Sequence, residues 1–523
     1  MTEKFYITTA IPYVNAKPHI GFAFELAEAD AIARFRRLRG DRVHFLTGTS
    51  EHGAKVMRAA QEAKKPVREF VNEHAEEFRA LLGRMNISND DFIRNSDEKR
   101  HMPGAQELWK RLDAAGDIYK KMYRGLYCVG HEAFVTEKDL KDGICIDHGK
   151  APETIEEENY FFRLSKYRDP ILKAIESGTL AIYPETRKNE AVSFLKEGLE
   201  DVSFSRPAKD IPWGVSVPGD ATQMMYVWCD ELTNYITALG FGSENISKFK
   251  EFWPADLHVI GKDILRFHAV IWPGMLLSAG LPFPKALFVH GHIFSGGKKM
   301  SKTVGNVIDP ILMIERYGAD ALRYFLLREI PTFDDGDFTE ERFLEAYNAA
   351  LANGIGNYVS RVVKMIENDC SGILEKPSLD DLARVPIKKQ SSFFAMEGSE
   401  GSKVETVSLA YFFDKVVWPA YDRAMERYEL KRAMDIIWEA LGELDGYVDF
   451  YEPFRLIKAE PEKAKAVLWN LAEGALSMAW LLKPFMPDTA DAILHAFGTK
   501  SDDQGEWKKV SVKLAAPLFP RKE

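Results

Sequence analysis

Two segments far apart in the sequence carry side chains able to bind phosphate groups. The first is His19-Ile20-Gly21, which stands between a short apolar run and a helical pattern. The N-terminus of a helix carries partial positive charge and free amide donors, which suit phosphate, and Gly21 lets a nucleotide approach the backbone closely. His19 can donate a hydrogen bond to a phosphate oxygen as charge builds up during group transfer. Taken alone, a histidine at such a junction is more commonly a structural or capping residue.

The second segment is Lys299-Met300-Ser301-Lys302, which follows Gly296-Gly297. A loop made flexible by glycines can close over a triphosphate and bring Lys299 and Lys302 to the leaving pyrophosphate. Such contacts stabilise most in the transition state, when charge moves onto that group. The alternative interpretation is a solvated basic surface loop, and the segment alone fits both equally.

The hydrophobic pattern around these segments predicts a parallel sheet. Residues 5–10 form a strand-like run, residues 21–39 repeat apolar side chains at helical spacing, and residues 43–46 form a second strand-like run. A strand, a helix and a strand in so short a stretch predict a βαβ unit. The strand pattern returns at residues 257–260 and 286–290, with a helical pattern between them. Both segments therefore follow strands of one sheet, and ligands bind at the carboxyl ends of such strands.

The rest of the chain divides by its composition and pattern. Residues 66–115 have an amphipathic helical pattern, whereas residues 119–218 are rich in glycine and acidic side chains and resemble an inserted module. Beyond residue 331 the strand signals fade, and helical patterns dominate residues 340–495. A stretch rich in Ser, Gly and Lys at 385–403 predicts a surface loop.

The bulk composition excludes several classes of protein. The chain has 523 residues, 46% of them hydrophobic, which predicts about three or four domains and argues against a disordered chain. Its formal net charge of −10 argues against a dedicated nucleic-acid coat protein, so any RNA-binding surface must be local. We expect no signal peptide and no membrane span. The four cysteines are too few for a disulfide framework and suit a reducing compartment, which predicts a cytoplasmic protein.

The two segments, in this order on one interrupted sheet, resemble the signature motifs of the class I aminoacyl-tRNA synthetases. Further stretches narrow the resemblance to the methionyl-tRNA synthetase family and extend it over essentially the whole chain. These stretches are Ile11-Pro12-Tyr13-Val14-Asn15, Phe45-Leu46-Thr47-Gly48-Thr49, Glu51-His52-Gly53, Tyr226-Val227-Trp228, Gly261-Lys262-Asp263-Ile264, Phe267-His268 and Val304-Gly305-Asn306-Val307-Ile308-Asp309-Pro310.

The resemblance implies an α/β fold, in which a Rossmann-type parallel-sheet catalytic domain is split by an inserted connective module and followed by an all-α helical-bundle anticodon-binding domain. The predicted boundaries are 1–117 for the first half of the catalytic domain, 118–222 for the inserted module, 223–297 for the second half, 298–345 for the lysine loop and a linker that contacts the tRNA stem, and 346–523 for the anticodon-binding domain.

The same resemblance implies roles for individual residues. ATP, bound with Mg²⁺, would contact His19, Gly21, Gly261, Asp263, Ile264, Lys299, Met300, Ser301 and Lys302, of which His19, Gly21, Lys299 and Lys302 would be catalytic. Methionine would lie in a pocket formed by Ile11, Tyr13, Ser50, Trp228, Leu232, Tyr235 and His290. Polarizable aromatic walls suit a thioether, which makes favourable sulfur–aromatic contacts.

Three positions depart from the family pattern. Phe22 stands where the first motif has a second histidine, and a phenyl ring cannot donate to phosphate. Ser50 stands where the family has an aspartate that pairs with the substrate ammonium group, so another carboxylate or a carbonyl must serve, and Glu231 is a candidate. Thr303 replaces a serine at the end of the lysine motif, which is a conservative change.

Two Cys-x₂-His units in the inserted module predict a metal site. Cys128 and His131 form the first unit, and Cys145 and His148 form the second. Four such ligands suit one tetrahedral, structural Zn²⁺. The family often has cysteine at the position of His131, so a knuckle that has lost its metal is the alternative.

The resemblance also predicts an RNA-reading surface for tRNA(Met). Asn357 and Arg361 are four residues apart and share a helix face, and they would read the anticodon. Phe454 would stack on a base where the family commonly has tryptophan. Because no oligonucleotide-binding domain follows in this sequence, we expect a monomer.

These features favour a methionine–tRNA ligase that forms methionyl-adenylate and transfers the methionyl group to tRNA. A catalytically impaired relative that only binds tRNA is one alternative, supported by Phe22 and Ser50. A sister synthetase for another amino acid is a second. The inserted module has no room for a large editing domain, which weighs against leucine, isoleucine and valine.

Overall fold

The computed structural model describes residues 3–131, 133–135, 137–146, 149–300, 306–388, 406–499 and 507–523. The chain forms two compact units. The first unit comprises Met1–Ala29 and Arg36–His292, and the second comprises Asp30–Phe35 and Ile293–Glu523.

A six-stranded parallel sheet is the framework of the first unit. Its strands, numbered in chain order, are β1 (Lys4–Thr8), β2 (Arg42–Thr49), β3 (Asp91–Arg94), β4 (Ala181–Tyr183), β5 (Leu257–Gly261) and β6 (Ala286–His290). The spatial order is β3-β2-β1-β5-β6-β4, and every neighbouring pair is parallel. The central strands are apolar and buried along almost their whole length, as expected for a sheet covered on both faces. The predicted parallel sheet is thus confirmed.

Two strands of this sheet differ from the sequence-based expectation. The predicted helical run 66–115 is interrupted by β3, which pairs with the edge of β2. Strand β4 lies inside the predicted insertion 118–222, yet it pairs with β6 in the main sheet. Both strands are short, with four and three residues, so they carry too few positions for a period to be recognised.

Helices connect the strands and cover the sheet. The helices of this part of the chain are Ile20–Leu38, Ala54–Glu62, Val67–Arg84, Met102–Ala114, Arg168–Ser177, Glu185–Glu197, Val227–Thr237, Ser247–Phe252 and Trp272–Ser278. The helix Val227–Thr237, called here the pocket helix, is buried at every position. The helical pattern predicted between β5 and β6 is confirmed by the helix Trp272–Ser278, and a π-helical turn at Phe267–Ile271 precedes that helix.

The predicted insertion contains small antiparallel sheets. One has four strands, Val202–Ser203, Glu153–Phe162, Ile118–Cys128 and Ala133–Val135 in spatial order, and another has the three strands Ser205–Pro207, Asp220–Met225 and Ser216–Val217. A two-stranded hairpin joins Leu140–Lys141 to Ile144–Cys145. This antiparallel character sets the module apart from the parallel sheet.

The second unit is mainly helical, as predicted for residues 340–495. Its α-helices are Pro310–Tyr317, Ala319–Tyr324, Glu340–Ala346, Gly356–Cys370, Leu379–Ala383, Leu409–Phe412, Trp418–Glu426, Leu430–Tyr451, Pro453–Ala459, Pro461–Leu482 and Pro487–Ala496, and π-helical turns occur at Phe325–Glu329, Tyr347–Ile355 and Phe413–Val417. The long helix Pro461–Leu482 is apolar nearly all round and buried, which is typical of the centre of a helical domain.

Short strands complete the second unit. Ile293–Ser295 pairs with Lys298–Lys299 and with Gly336–Asp337, and Ile373–Glu375 pairs with Lys509–Ser511. The predicted loop at 385–403 lies largely outside the described residues, but Ile387–Lys388 and Thr406–Val407 pair where the chain leaves and re-enters the described part. Among the described residues, no helix is long and apolar enough to cross a membrane.

Candidate active site and RNA-reading residues

His19 and Gly21 stand where β1 gives way to the helix Ile20–Leu38. The backbone N–H of Gly21 donates to Nδ1 of His19 at 3.0 Å, so the neutral imidazole carries its proton on Nε2. A Cβ atom at Gly21 would lie 2.9 Å from Cε1 of His19, so glycine is what lets the ring fold back over the helix start. The ring opens to solvent in a recess whose surrounding protein atoms lower its pKa, an effect that Asp263 opposes. His19 is therefore suited to donate from Nε2 as a neutral group.

Phe22 belongs to the core and not to this recess. Its side chain is 7% exposed, and its ring meets Phe78 at 5.2 Å in a tilted contact. The position that departs from the family's second histidine is therefore used for packing between two helices of the first unit.

The predicted adenosine stretch follows β5 in the same unit. A Cβ atom at Gly261 would lie 2.8 Å from Oδ1 of Asp263, so a side chain there would displace the carboxylate. Burial would raise the pKa of Asp263, but the hydrogen bond from His292 at 3.2 Å and nearby positive charge hold it below its usual range. Ile264 is half-buried and its carbonyl accepts from Nδ1 of His268 at 3.1 Å. The stretch thus places the ionised carboxylate of Asp263 beside Gly261, where no side chain obstructs the approach of a ligand to the backbone.

The predicted methionine pocket is brought together on the pocket helix and the loop after β1. Tyr13 meets Trp228 edge-on with 6.4 Å between ring centroids, and Trp228 stacks on Phe267 at 3.6 Å. Ile11 and Leu232 are buried in the same hydrophobic cluster. These residues therefore supply aromatic and aliphatic surfaces of the kind that a thioether would contact.

Tyr235 is held by a buried histidine that the sequence did not assign to the pocket. Because Nδ1 of His268 faces the carbonyl of Ile264, that nitrogen carries the proton, and burial lowers the pKa of His268 to about 4. Nε2 of the neutral ring must then accept, so the hydroxyl of Tyr235 donates to it at 2.8 Å. The proton of this hydroxyl is thus already used, and Tyr235 would offer its ring to the substrate.

His290 is also engaged within the protein, through both ring nitrogens. Nδ1 donates to the carbonyl of Gly291 at 2.8 Å, and Nε2 lies 3.0 Å from a carboxylate oxygen of Glu25. Burial alone would lower the pKa of His290, but Glu25 and the neighbouring Glu28 raise it to about 9. Both ring nitrogens of His290 therefore have partners within the protein, so neither is a spare donor for a sulfur atom.

A buried polar network anchors the pocket helix, and sequence reasoning missed it. Asp230 accepts from Nδ1 of His52 at 2.7 Å, from Nε2 of His101 at 2.6 Å and from the amide of Asn95 at 2.9 Å. Burial would raise the pKa of Asp230, but the two histidines lower it to about 2. His101 in turn contacts the hydroxyl of Thr237 at 2.8 Å, at the end of the same helix. These residues are far apart in the sequence. The only signal in the sequence that could have suggested a cluster is that all of them are polar.

The lysine motif begins in a hairpin of the second unit. Gly296 and Gly297 form the turn between Ile293–Ser295 and Lys298–Lys299, and the N–H of Gly297 donates to Asp337 at 2.8 Å. The backbone of Lys299 belongs to this hairpin and Met300 is half-buried. Ser301 and Lys302 lie outside the described residues, so their predicted roles stay predictions.

Three of the four predicted metal ligands meet in the inserted module. The ligand atoms of Cys128, His131 and Cys145 all lie within 4.8 Å of one another, and Sγ of Cys145 is 3.6 Å from Nδ1 of His131. Ligand atoms around a tetrahedral Zn²⁺ are separated by roughly 3.5 Å, given its usual bond lengths. The donor set therefore fits such an ion, whereas His148 lies outside the described residues.

The predicted RNA-reading residues occupy the surface of the second unit. Asn357 is exposed, and Arg361 is half-buried with its guanidinium 3.5 Å from the carboxylates of Asp445 and Asp449. Phe454 is 47% exposed and lies in the first turn of the helix Pro453–Ala459, which packs against the helix of the other two. An aromatic ring left in solvent beside a polar helix face is available for stacking, which core packing would not allow.

A parallel sheet interrupted by an antiparallel module, with a histidine at its first helix and a helical unit that follows in the sequence, is the arrangement of a class I aminoacyl-tRNA synthetase. A family model described as tRNA synthetases class I (M) matches residues 5–139 and 134–363, and one described as the anticodon binding domain of methionyl tRNA ligase matches residues 397–519. The chain belongs to the methionine–tRNA ligase family.

Individual relatives are similar to this chain over almost all of its length. The methionine–tRNA ligase of Brucella suis is 42% identical over 99% of this chain and 98% of its own length, and that of Caldanaerobacter subterraneus is 42% identical over 100% and 79%. The solved structure of Mycobacterium tuberculosis methionyl-tRNA synthetase in complex with methionyl-adenylate is similar with a TM-score of 0.89 and 37% identity, over 99% of each chain.

Proposed function

We propose that this chain activates L-methionine with ATP, releases pyrophosphate, and transfers the methionyl group from the adenylate to tRNA(Met). The observation that carries the proposal is the aromatic pocket of Tyr13, Trp228 and Tyr235, which lies in the same unit as the folded-back His19. Full-length similarity to methionine–tRNA ligases, one of them solved with methionyl-adenylate, supports the same reaction.

In this proposal ATP binds with Mg²⁺ at the carboxyl edge of the sheet. His19 donates from Nε2 to a phosphate oxygen, and Gly21 keeps the helix start open to the nucleotide. Gly261, Asp263 and Ile264 hold the adenosine, and the segment Lys299-Met300-Ser301-Lys302 binds the leaving pyrophosphate. Donors fixed in place before the reaction stabilise the charge that develops during transfer.

Methionine binds beside this edge with its side chain in the aromatic pocket. Ile11, Tyr13, Trp228, Leu232 and Tyr235 contact the thioether chain. His290 closes the pocket as the imidazolium paired with Glu25, and Ser50 lies near the amino-acid head group.

The test is methionine-dependent exchange of labelled pyrophosphate into ATP. We expect exchange with methionine and none with leucine or cysteine. Absence of exchange from folded protein would contradict the proposal and favour a relative that only binds tRNA. Exchange with a different amino acid would favour a sister synthetase.

We further propose that Asn357, Arg361 and Phe454 read the anticodon. Replacing Phe454 with alanine is expected to raise the KM for tRNA in aminoacylation by roughly 10- to 100-fold, because stacking on one base contributes about 1–3 kcal/mol. Pyrophosphate exchange should not change, because that step does not need tRNA contacts in the second unit. The matched control is Phe450→Ala, which removes another exposed ring. Equal effects of the two changes on the KM would contradict a specific role for Phe454.

The cysteine and histidine side chains of the inserted module would hold a structural Zn²⁺, with His148 as the fourth ligand. When bound, the ion would cross-link the loop that follows Ile118–Cys128 to the hairpin that contains Cys145. We expect about one zinc per purified chain by metal analysis, and its loss in Cys145→Ala. The variant Cys370→Ala, which changes a half-buried cysteine of the second unit, should keep the metal. A metal-free wild type would favour the decayed knuckle.

The predicted domain boundaries, the monomeric state and the cytoplasmic location stay predictions. The division of the compact units after His292 lies close to the predicted end of the catalytic domain at residue 297. It also groups the predicted linker 298–345 with the helical domain.

A further inference from the structure

The part of the active site that would bind the amino acid needs an acceptor for the positive charge of its α-ammonium group. A methionine molecule carries an α-ammonium group, and burying that charge without an acceptor is costly. Ser50 is fully buried next to the pocket, and its backbone pairs with the segment of Tyr13. Three buried carboxylates are candidates to pair with the ammonium group. They are Glu51, which follows Ser50 in the sequence, and Asp230 and Glu231 of the pocket helix.

Glu51 is already fully engaged. Its carboxylate accepts two N–H groups of Arg94, at 2.6 and 2.9 Å, in a bidentate pair. The hydroxyl of Thr49 donates to it at 2.8 Å, and the hydroxyl of Ser96 donates to its other oxygen. A carboxylate with these partners has no oxygen turned toward an incoming ammonium group.

Asp230 is engaged in the same way. His52 and Asn95 contact one of its oxygens, and His101 contacts the other. Its charge is therefore already compensated within the protein.

Glu231 differs from both of these acids. Its side chain is 4% exposed, and within the described part of the chain its Oε2 atom has no hydrogen-bond partner. The same holds for Oγ of Ser50. The polar side chains of Ser50 and Tyr13 lie close enough to favour the charged form of Glu231. Oε2 of Glu231 and Oγ of Ser50 are therefore neighbouring buried oxygens that can each still accept a hydrogen bond, and a positively charged donor would supply it.

The pocket helix explains why this carboxylate reaches the substrate. Glu231 and Leu232 lie three and four residues after Trp228, and Tyr235 lies four and three residues after them, so the four side chains lie on one side of the helix. The face that presents the aromatic wall to the methionine side chain therefore also presents one carboxylate.

We propose that Glu231 binds the α-ammonium group of the substrate and that Ser50 accepts a second hydrogen bond from it. The carboxylate required for the amino-acid head group would thus come from the pocket helix and not from the loop after β2. This inference rests on methionine, or another α-amino acid, being the substrate.

The charge state of Glu231 fits this role. In the absence of substrate, burial and the neighbouring Asp230 raise the pKa of Glu231, whereas Ser50, Tyr13 and Lys55 oppose the shift. An ammonium group arriving at Oε2 adds the positive charge that stabilises the ionised form. The carboxylic acid then gives up its proton to solvent as the ion pair forms.

The test compares two ligands that differ only in the amine. Methioninol carries the ammonium group, and 4-(methylsulfanyl)butan-1-ol lacks it. We expect wild-type protein to prefer methioninol in competition against pyrophosphate exchange, and Glu231→Gln to reduce this preference on the order of 100-fold. The KM for methionine should rise by a similar factor, and the KM for ATP should stay the same.

Two further variants separate binding from structure. Asp320→Asn changes a buried carboxyl group of the second unit, one of whose oxygens also has no hydrogen-bond partner in the described chain, and it should keep the preference for the amine. Glu231→Ala should lose the preference, and adding Ser50→Asp to it should restore the preference, because the charge returns on the neighbouring strand end. If Glu231→Gln does not fold, the comparison of Glu231→Ala with the double variant Glu231→Ala and Ser50→Asp tests the proposal instead.

The proposal is overturned if Glu231→Gln keeps the wild-type preference, or if Ser50→Asp does not restore it in the Glu231→Ala background. Failure of wild-type protein to bind methioninol at all would instead contradict the methionine-dependent function. The two failures are therefore distinguishable.

Discussion

Replacing His19 with alanine is expected to lower the rate of methionine-dependent pyrophosphate exchange by about 100- to 1000-fold. The structure gives the reason, because the N–H of Gly21 fixes Nδ1 of His19 and leaves the Nε2 proton as the only one that the neutral ring can donate. A donor fixed in this way stabilises charge as it develops on the phosphate. The measurement is kcat for exchange, with the KM values for methionine and ATP determined separately.

The matched control is His74→Ala, which removes a half-buried histidine on the helix Val67–Arg84. It should leave kcat within about threefold of wild type, since surface changes away from a site have small effects. If His19→Ala and His74→Ala have equal rates, His19 has no catalytic role.

The pH dependence of kcat for exchange follows from the same geometry of His19. The pKa of His19 is lowered by the surrounding protein, so the ring is neutral from that lowered pKa upward and its Nε2–H is present throughout neutral pH. The contribution of His19 should therefore not decline as the pH rises through the ordinary histidine value. A decline in kcat over that range which disappears in His19→Ala would show that the imidazolium, and not the neutral ring, is the active form.

The sheet and the first helix could be predicted because their signals are local. Residues 5–8 and 286–290 are apolar runs long enough to indicate buried strands, and the helix from Ile20 repeats its apolar side chains over five turns. Strand β3 was missed because it has four residues and follows a strongly amphipathic helix. Strand β4 was missed because it has three residues within a polar module, and only pairing with β6 makes it part of the sheet.

For the candidate site, the sequence predicted which types of side chain are present but not their protonation states or hydrogen-bond partners. The aromatic positions Tyr13 and Trp228 meet as the family pattern implies. The sequence did not indicate that Glu25 would make an ion pair with His290, because these two side chains are separated by most of the catalytic domain. It also did not indicate that the proton of Tyr235 is committed to His268. Such states depend on burial and on partners that folding brings from distant segments.

Replacing Asp230 with asparagine is expected to destabilise the first unit by about 3–5 kcal/mol, because removing one partner of a buried ionic network leaves the others unpaired. His52, His101 and Asn95 would lose a charged acceptor that burial keeps away from water. Denaturant unfolding, followed by a signal from the first unit, measures the change. The matched control is Asp90→Asn, whose partner Arg37 is partly exposed; it should cost less than about 1 kcal/mol.

The lowered pKa of Asp230 determines how the stability of this network changes with pH. The pKa of Asp230 is lowered to about 2 from an ordinary value of 3.8, so its contribution to stability is fully present above 3.8 and is lost as the pH falls toward 2. Asp230→Asn should therefore be less sensitive to acid than wild type within this window, although it is less stable at neutral pH. Equal acid sensitivity of the two proteins would contradict the assigned charge state.

Asp230 and Glu231 are adjacent on the pocket helix, yet they should affect ligand binding differently. Within the described residues, the carboxylate of Asp230 makes its side-chain hydrogen bonds to His52, His101 and Asn95, which are not predicted pocket residues. Asp230→Asn should therefore weaken methioninol and its amine-free analogue together, through the position of the helix. Glu231→Gln should weaken only the ligand that carries the amine. Loss of amine preference in Asp230→Asn would mean that the network, and not Glu231 alone, sets the field at the head group. Retained preference with weaker overall binding would identify Asp230 as a positioning residue whose charge holds the helix that bears the binding carboxylate.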